Sequence, residues 1–252
     1  MSDFNRNPAA RGGFGADRAV AIDAGLRSYM IRVYNYMAAG VALTGIVAWL
    51  TFNASVTQTA GGGLALTSLG QTLFNSPLKW VLMLAPIAMV FFISFRIDRI
   101  QTATAQMLFF LFAALMGLSL SVVFLVFTGT SITRVFFISA AAFGALSLYG
   151  YTTQRDLSAM GSFLFMGLIG IIIASLVNIF LASTMMQFII SCVGVLVFAG
   201  LTAYDTQKIK EMYDPMDDGS IAGKKAVMGA LSLYLDFINL FQMLLQLLGD
   251  RR

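Results

Sequence analysis

Seven long apolar runs, separated by shorter polar stretches, set the pattern of this chain. Each is about as long as a helix needs to cross a bilayer, ~20 residues. They predict spanning helices at 30–52, 78–97, 105–127, 132–151, 161–182, 187–208 and 227–248. The connections after spans two, three, four and five are short. The connection from Asn53 to Pro77 is longer, uncharged and Gly-rich, with Gly61-Gly62-Gly63 expected as a flexible outer turn. The one from Ile209 to Ala226 is charged and carries the turn signals Asp214-Pro215 and Asp218-Gly219. The first 27 residues are polar, small and Gly-rich, and lack the apolar core of a secretory signal. The expected organisation is a flexible cytoplasmic tail at 1–27 and a seven-helix transmembrane domain at 28–250.

Composition agrees with that pattern. Hydrophobic residues make up 58% and charged residues 11% of the 252, against about 25% charged in a soluble domain. The one cysteine, Cys192, excludes an internal disulfide. With no histidine, imidazole metal sites and the common hydrolase triads are excluded. Gly61-Gly62-Gly63 is not followed by the Gly-Lys-Ser/Thr of a phosphate loop. The chain is therefore expected to be no enzyme, with no resident cofactor. Its net charge of +4 reflects topology better than a nucleic-acid partner. With the N-terminus inside, the cytoplasmic side receives twelve of the sixteen lysines and arginines, among them Arg27, Arg96, Arg155, Lys208 and Lys210. That bias predicts an N-terminus in the cytoplasm.

Two polar positions break the apolar pattern most sharply. Asp205 lies in span six and Asp236 in span seven. A carboxylate at the centre of a spanning helix costs about 2.5–3.5 kcal/mol on insertion scales. Gly229, Ser232, Asp236 and Asn239 form one helical stripe on span seven. Ser191, Gly194, Thr202 and Asp205 share a face of span six, and Gly167, Gly170, Ala174 and Asn178 share a face of span five. Ser232, Asn239, Thr202 and Asn178 are thus the expected supporting polar face. Counted along the helices, Asp236 falls near the midplane and Asp205 about one turn inside the membrane, so they meet only if span six is shifted or tilted. Two carboxylates in contact in a low-dielectric site cannot both ionise cheaply, and can share one proton. Fully deprotonated, they attract a cation, and hard oxygen ligands suit Ca²⁺. Arg96 closes span two on the same side and is the candidate counter-ion. Tyr151-Thr152-Thr153-Gln154-Arg155 and Tyr204-Asp205-Thr206-Gln207-Lys208 also resemble each other, which suggests repeated hairpins.

Several motifs carry a resemblance to a known family. They are Gly150-Tyr151-Thr152-Thr153 with Arg155-Asp156-Leu157-Ser158, Ser162-Phe163-Leu164-Phe165-Met166-Gly167-Leu168, Leu201-Thr202-Ala203-Tyr204-Asp205-Thr206-Gln207, and Leu233-Tyr234-Leu235-Asp236-Phe237-Ile238-Asn239-Leu240-Phe241. With them the chain resembles a bacterial member of the Bax inhibitor family, also called the transmembrane Bax-inhibitor-motif family. The resemblance implies an all-α, seven-helix bundle with the last helix central. It implies a pH-sensitive calcium leak in the bacterial inner membrane, with Asp205 and Asp236 as proton sensor and cation site and Arg96 as latch. The partners it implies are the lipid bilayer, calcium or protons, and a membrane-bound ATP-dependent protease. The alternative function is accordingly a regulatory membrane protein that binds and modulates such a protease or another membrane partner.

Overall fold

A computed structural model describes residues 9–58 and 64–252. Seven of its helices are long and apolar enough to cross a membrane. They are Ala24–Ser55, Leu78–Arg96, Thr102–Val126, Gly129–Thr152, Ser158–Leu181, Thr184–Glu211 and Gly219–Leu248, hereafter spans one to seven. The chain is an integral membrane protein built from helices, because a helix satisfies every backbone polar group within lipid.

Most spans run past their apolar runs, and side-chain caps mark the earlier starts of spans four, six and seven. Thr128 accepts the Ser131 N–H to open span four, and Ser183 accepts the Met186 N–H to open span six. Asp218 accepts the Ile221 N–H at 2.7 Å to open span seven eight residues before the expected start. Hydropathy marks where lipid ends, whereas caps mark where the helix ends. The charged connection between spans six and seven shrinks to Met212–Asp218, closed by a 2.6 Å ion pair between Lys225 and Asp217.

Two expectations at the N-terminal side need correction. The first helix is continuous over Ala9–Ser55, so position 27 is no boundary between tail and helix. The stretch Ala-Asp-Arg-Ala-Val-Ala-Ile-Asp-Ala carries no proline and is rich in alanine, the strongest helix former. Residues 1–8 of the expected tail lie outside the described residues. The connection after span one is not a plain loop either. Val56–Gln58 and Leu64–Leu66 pair as an antiparallel hairpin, with Val56 opposite Leu66. A short helix at Ser68–Gly70 and a π-turn at Gln71–Asn75 follow. Gly61-Gly62-Gly63 falls outside the described residues.

Span seven is half buried within the protein, while spans two and five are only 11% buried. Span seven packs on spans one, three, four and six, whereas span two packs mainly on span three and span five on span six. Its start lies beside the connection between spans two and three, where Thr102 donates to the Ser220 carbonyl at 3.0 Å and Lys224 to the Asp98 carbonyl at 3.1 Å. Its end lies beside the connection between spans three and four, where Asp250 accepts from Ser131 at 2.8 Å and pairs with Arg134 at 3.2 Å. Span seven therefore runs the full length of the bundle. The first of these ends also carries Lys208, Lys210 and Arg155, and is called the basic end below.

Candidate functional site

The residues Tyr204-Asp205-Thr206-Gln207 point in four directions around span six, and each meets a different element. Tyr204 lies flat against Gly161 of span five, so close that a β-carbon there would sit 2.4 Å from its ring. Thr206 donates to the Thr202 carbonyl at 2.7 Å and shares a 2.9 Å hydrogen bond with Ser147 of span four. Gln207 accepts the Leu157 N–H at 2.9 Å and donates to the Arg155 carbonyl at 2.8 Å, gripping the connection between spans four and five. Gly150 of span four admits the Ala203 carbonyl where a β-carbon would be 2.2 Å away. These contacts fix the rotation of span six. Asp205 is left facing a cavity.

That cavity measures ≈ 630 Å³ and lies between spans five, six and seven. Asp205, Lys208, Ser232, Asp236 and Asn239 supply its polar lining, and Phe165, Met166 and Phe198 part of its apolar wall. Asp236 is 5% exposed, and among the described residues no donor reaches its Oδ2. Such an unpaired buried carboxylate oxygen is costly to the fold. The two carboxylates act on each other as neighbouring charges, and Lys208 is the cation that acts on Asp205.

Helix geometry explains how the aspartates meet. Two close approaches set the register of spans six and seven: Gly229 against Ile209, and Gly194 against Met243. In that register Asp205 is level with Ser232, which is one turn nearer the basic end than Asp236. The separation along the axis is thus about 6 Å at 1.5 Å per residue. Side chains tilt toward the N-terminus of their own helix. Because the two spans are antiparallel, Asp205 tilts inward and Asp236 tilts back toward the basic end. The tilts close the gap without the displacement of span six that counting from the apolar runs demands.

The supporting positions divide. Ser232 and Asn239 line the cavity with the aspartates. Thr202 is fully buried and returns its hydroxyl to the Phe198 carbonyl at 2.7 Å, so it does not face the cavity. Asn178 sits at the opposite end, where it accepts the Ser183 N–H at 3.0 Å and donates to Gln187 at 3.3 Å. It holds the turn that passes through Ala182 at φ 48°. With Gln187, Ser191 and Gln246 it lines a separate cavity of ≈ 230 Å³. Helical spacing gives no depth, which separates Asn178 from the aspartates, and it resolves a face too coarsely to tell Thr202 from Asp205.

Arg96 is not joined to either aspartate. It is exposed in the last turn of span two, which packs on span three and away from span six. Among the described residues it forms no ion pair. Lys208, missed from the sequence, is the cation at the cavity. Its signal was the spacing of three from Asp205, which puts both on one helix face. The similar segments 151–155 and 204–208 end differently, since span four stops at Thr152 while span six continues to Glu211.

Residues 26–252 match the family model described as "Inhibitor of apoptosis-promoting Bax1". The uncharacterized protein RP147 of Rickettsia prowazekii is 48% identical over 91% of this chain and 92% of its own. The inner membrane protein YbhL of Escherichia coli K12 is 45% identical over 94% of this chain and 97% of its own. An uncharacterized protein of Caulobacter vibrioides is 42% identical over the whole of both chains.

Proposed function

This chain belongs to the Inhibitor of apoptosis-promoting Bax1 family, and on that footing we propose that it is a proton-gated calcium leak of a bacterial inner membrane. The observation that carries this reading is the cavity lined by both Asp205 and Asp236, with one oxygen of Asp236 buried and reached by no donor among the described residues. A cation in transit supplies the missing partner. When both carboxylates are ionised, their charges repel each other and draw a cation between them. A proton shared by the pair relieves the repulsion and removes the attraction. Flux therefore falls as pH falls.

The donor set favours transit over tight binding. Two carboxylates, the Ser232 hydroxyl and the Asn239 amide give four ligand groups, which fall short of the six to eight oxygens of a Ca²⁺ shell unless both carboxylates bind through both oxygens. Otherwise water has to complete the shell, and a weakly held ion leaves readily. Lys208 stands at the mouth, where its charge opposes cation entry. Beyond Asn239 spans six and seven close together, with Met243 against Gly194 at a distance that would leave a β-carbon only 2.8 Å from its sulfur. Past that point lies the polar cavity of Asn178, Gln187 and Gln246. Separation of Met243 from Gly194 would join the two cavities into one path.

Basic residues at the end of Lys208 and Lys210 support an orientation with that end and the N-terminus in the cytoplasm. The likeness to an inner membrane protein of Escherichia coli supports the location. The test is calcium flux into liposomes carrying the purified protein, followed across pH. Flux should rise from acid to alkaline pH in the native protein. A flux that is absent at every pH, or indifferent to pH, would overturn the proposal.

A further inference from the structure

A second cavity lies at the basic end, between spans one and four, on a different side of span six from the aspartates. It measures ≈ 760 Å³, within the size range of small-molecule sites, roughly 300–1,000 Å³. We propose that this groove binds an anionic phospholipid, with the headgroup at Arg27 and one acyl chain directed inward.

Three observations point to that occupant. The groove opens sideways into the lipid, because Ile31 and Leu148 on its walls are 48% and 62% exposed. A soluble ligand would need an opening to water instead. Its charge is all at one end: among the described residues Arg27 is the single charged residue of its lining. Lys210 adds a second cation near that rim, 5.3 Å from the Tyr151 ring and bonded to the Tyr151 carbonyl at 2.9 Å. Basic pockets between spanning helices are suited to anionic headgroups, and a guanidinium matches a phosphate in two parallel hydrogen bonds.

The inner end is made for an alkyl chain. Its polar atoms are already satisfied by one another: Tyr34 and Ser147 share a 2.6 Å hydrogen bond, and Ser147 meets Thr206 at 2.9 Å. No donor or acceptor there requires a polar ligand. Gly144 keeps this end open, since a β-carbon on it would meet nothing within 4 Å. The same hydroxyl chain ends on Thr206, the residue after Asp205, so the bound chain would rest on the side of span six that faces away from the aspartates.

Native mass spectrometry of the purified full chain tests this, with phosphatidylglycerol and phosphatidylcholine of identical acyl chains added in equal amounts. The native protein should retain phosphatidylglycerol several-fold over phosphatidylcholine. Arg27→Gln should bring the ratio close to one while leaving phosphatidylcholine retention unchanged. Gly144→Leu, placed in open space, should lower retention of both lipids several-fold. Equal retention of the two lipids by the native protein would overturn the proposal, and so would variants that bind as the native protein does. A protein dimer that Gly144→Leu abolishes would also overturn it, by assigning the groove to a second copy.

Discussion

Tyr234 and Asp236 lie two residues apart on span seven and point to opposite sides of it. Both are buried, yet their surroundings differ. Tyr234 shares a 2.6 Å hydrogen bond with Thr44, which donates in turn to the Ala113 carbonyl at 2.8 Å. Its ring meets Phe112 and Phe109 edge to face, with centroids 5.2 and 6.0 Å away. Asp236 faces a cavity, and among the described residues no donor reaches its Oδ2. One face of the helix is thus spent on packing against spans one and three. The other holds a polar group that packing alone would have removed. The acids at the bundle ends sharpen the contrast, since Asp217 and Asp250 each have a basic partner.

The strongest break of this comparison is Asp236→Asn. It keeps the shape and removes the charge. Calcium flux into liposomes should fall by about tenfold or more, the loss that ~1.4 kcal/mol of cation binding corresponds to, and the remainder should no longer depend on pH. The melting midpoint should stay or rise, because a buried unpaired carboxylate has been removed. Flux and pH dependence that survive the change would exclude the aspartate pair as the gate.

Next in size is Gly150→Leu, which probes how Asp205 is aimed rather than the charge itself. The glycine admits the Ala203 carbonyl, so any side chain must push span six away from span four. Overpacking of this kind costs about 1–3 kcal/mol, read as a lower melting midpoint, and flux should fall with it. A tolerated leucine would mean that span six is not held by this contact. A smaller effect is expected from Tyr234→Phe, which deletes one hydrogen bond and keeps the ring. It should cost about 1 kcal/mol of stability and leave the pH profile of flux in place. If Tyr234→Phe moved the profile as Asp236→Asn does, the two faces would not be separate.

The same two faces show what was legible in the chain. The spans were legible because lipid imposes long apolar runs, and Asp205 and Asp236 because such runs rarely carry acids. Their meeting was not. It depends on a register set by Gly229 against Ile209 and Gly194 against Met243, and on opposed side-chain tilts in antiparallel helices. Apolar runs also understate helix length, because the cap at Asp218 lies outside lipid. Tyr234 belongs to a recognisable motif, but a tyrosine between leucines does not announce a partner 190 positions away. Arg96 owes its expected partner to its side of the membrane and to the family resemblance. Sharing a side does not bring two helices into contact, and span two packs elsewhere.

The smallest expected effect is at Asp156, in the connection that Gln207 grips. This acid is fully exposed, and hydrogen bonds from the Ser158 hydroxyl and then the Ser158 N–H, the latter at 2.8 Å, hold its carboxyl below the ordinary value of 3.8. A lowered value in the folded protein means that the ionised form supports the fold. That support is present above the ordinary value and is lost as pH falls through the lowered one. Asp156 is therefore ionised throughout the neutral range and cannot supply a proton switch there. Asp156→Ala should lower the melting midpoint only slightly at neutral pH and leave the pH profile of flux where it is. A profile that shifted with this substitution would place the pH dependence in the connections at the basic end, and would take it away from the cavity between spans six and seven.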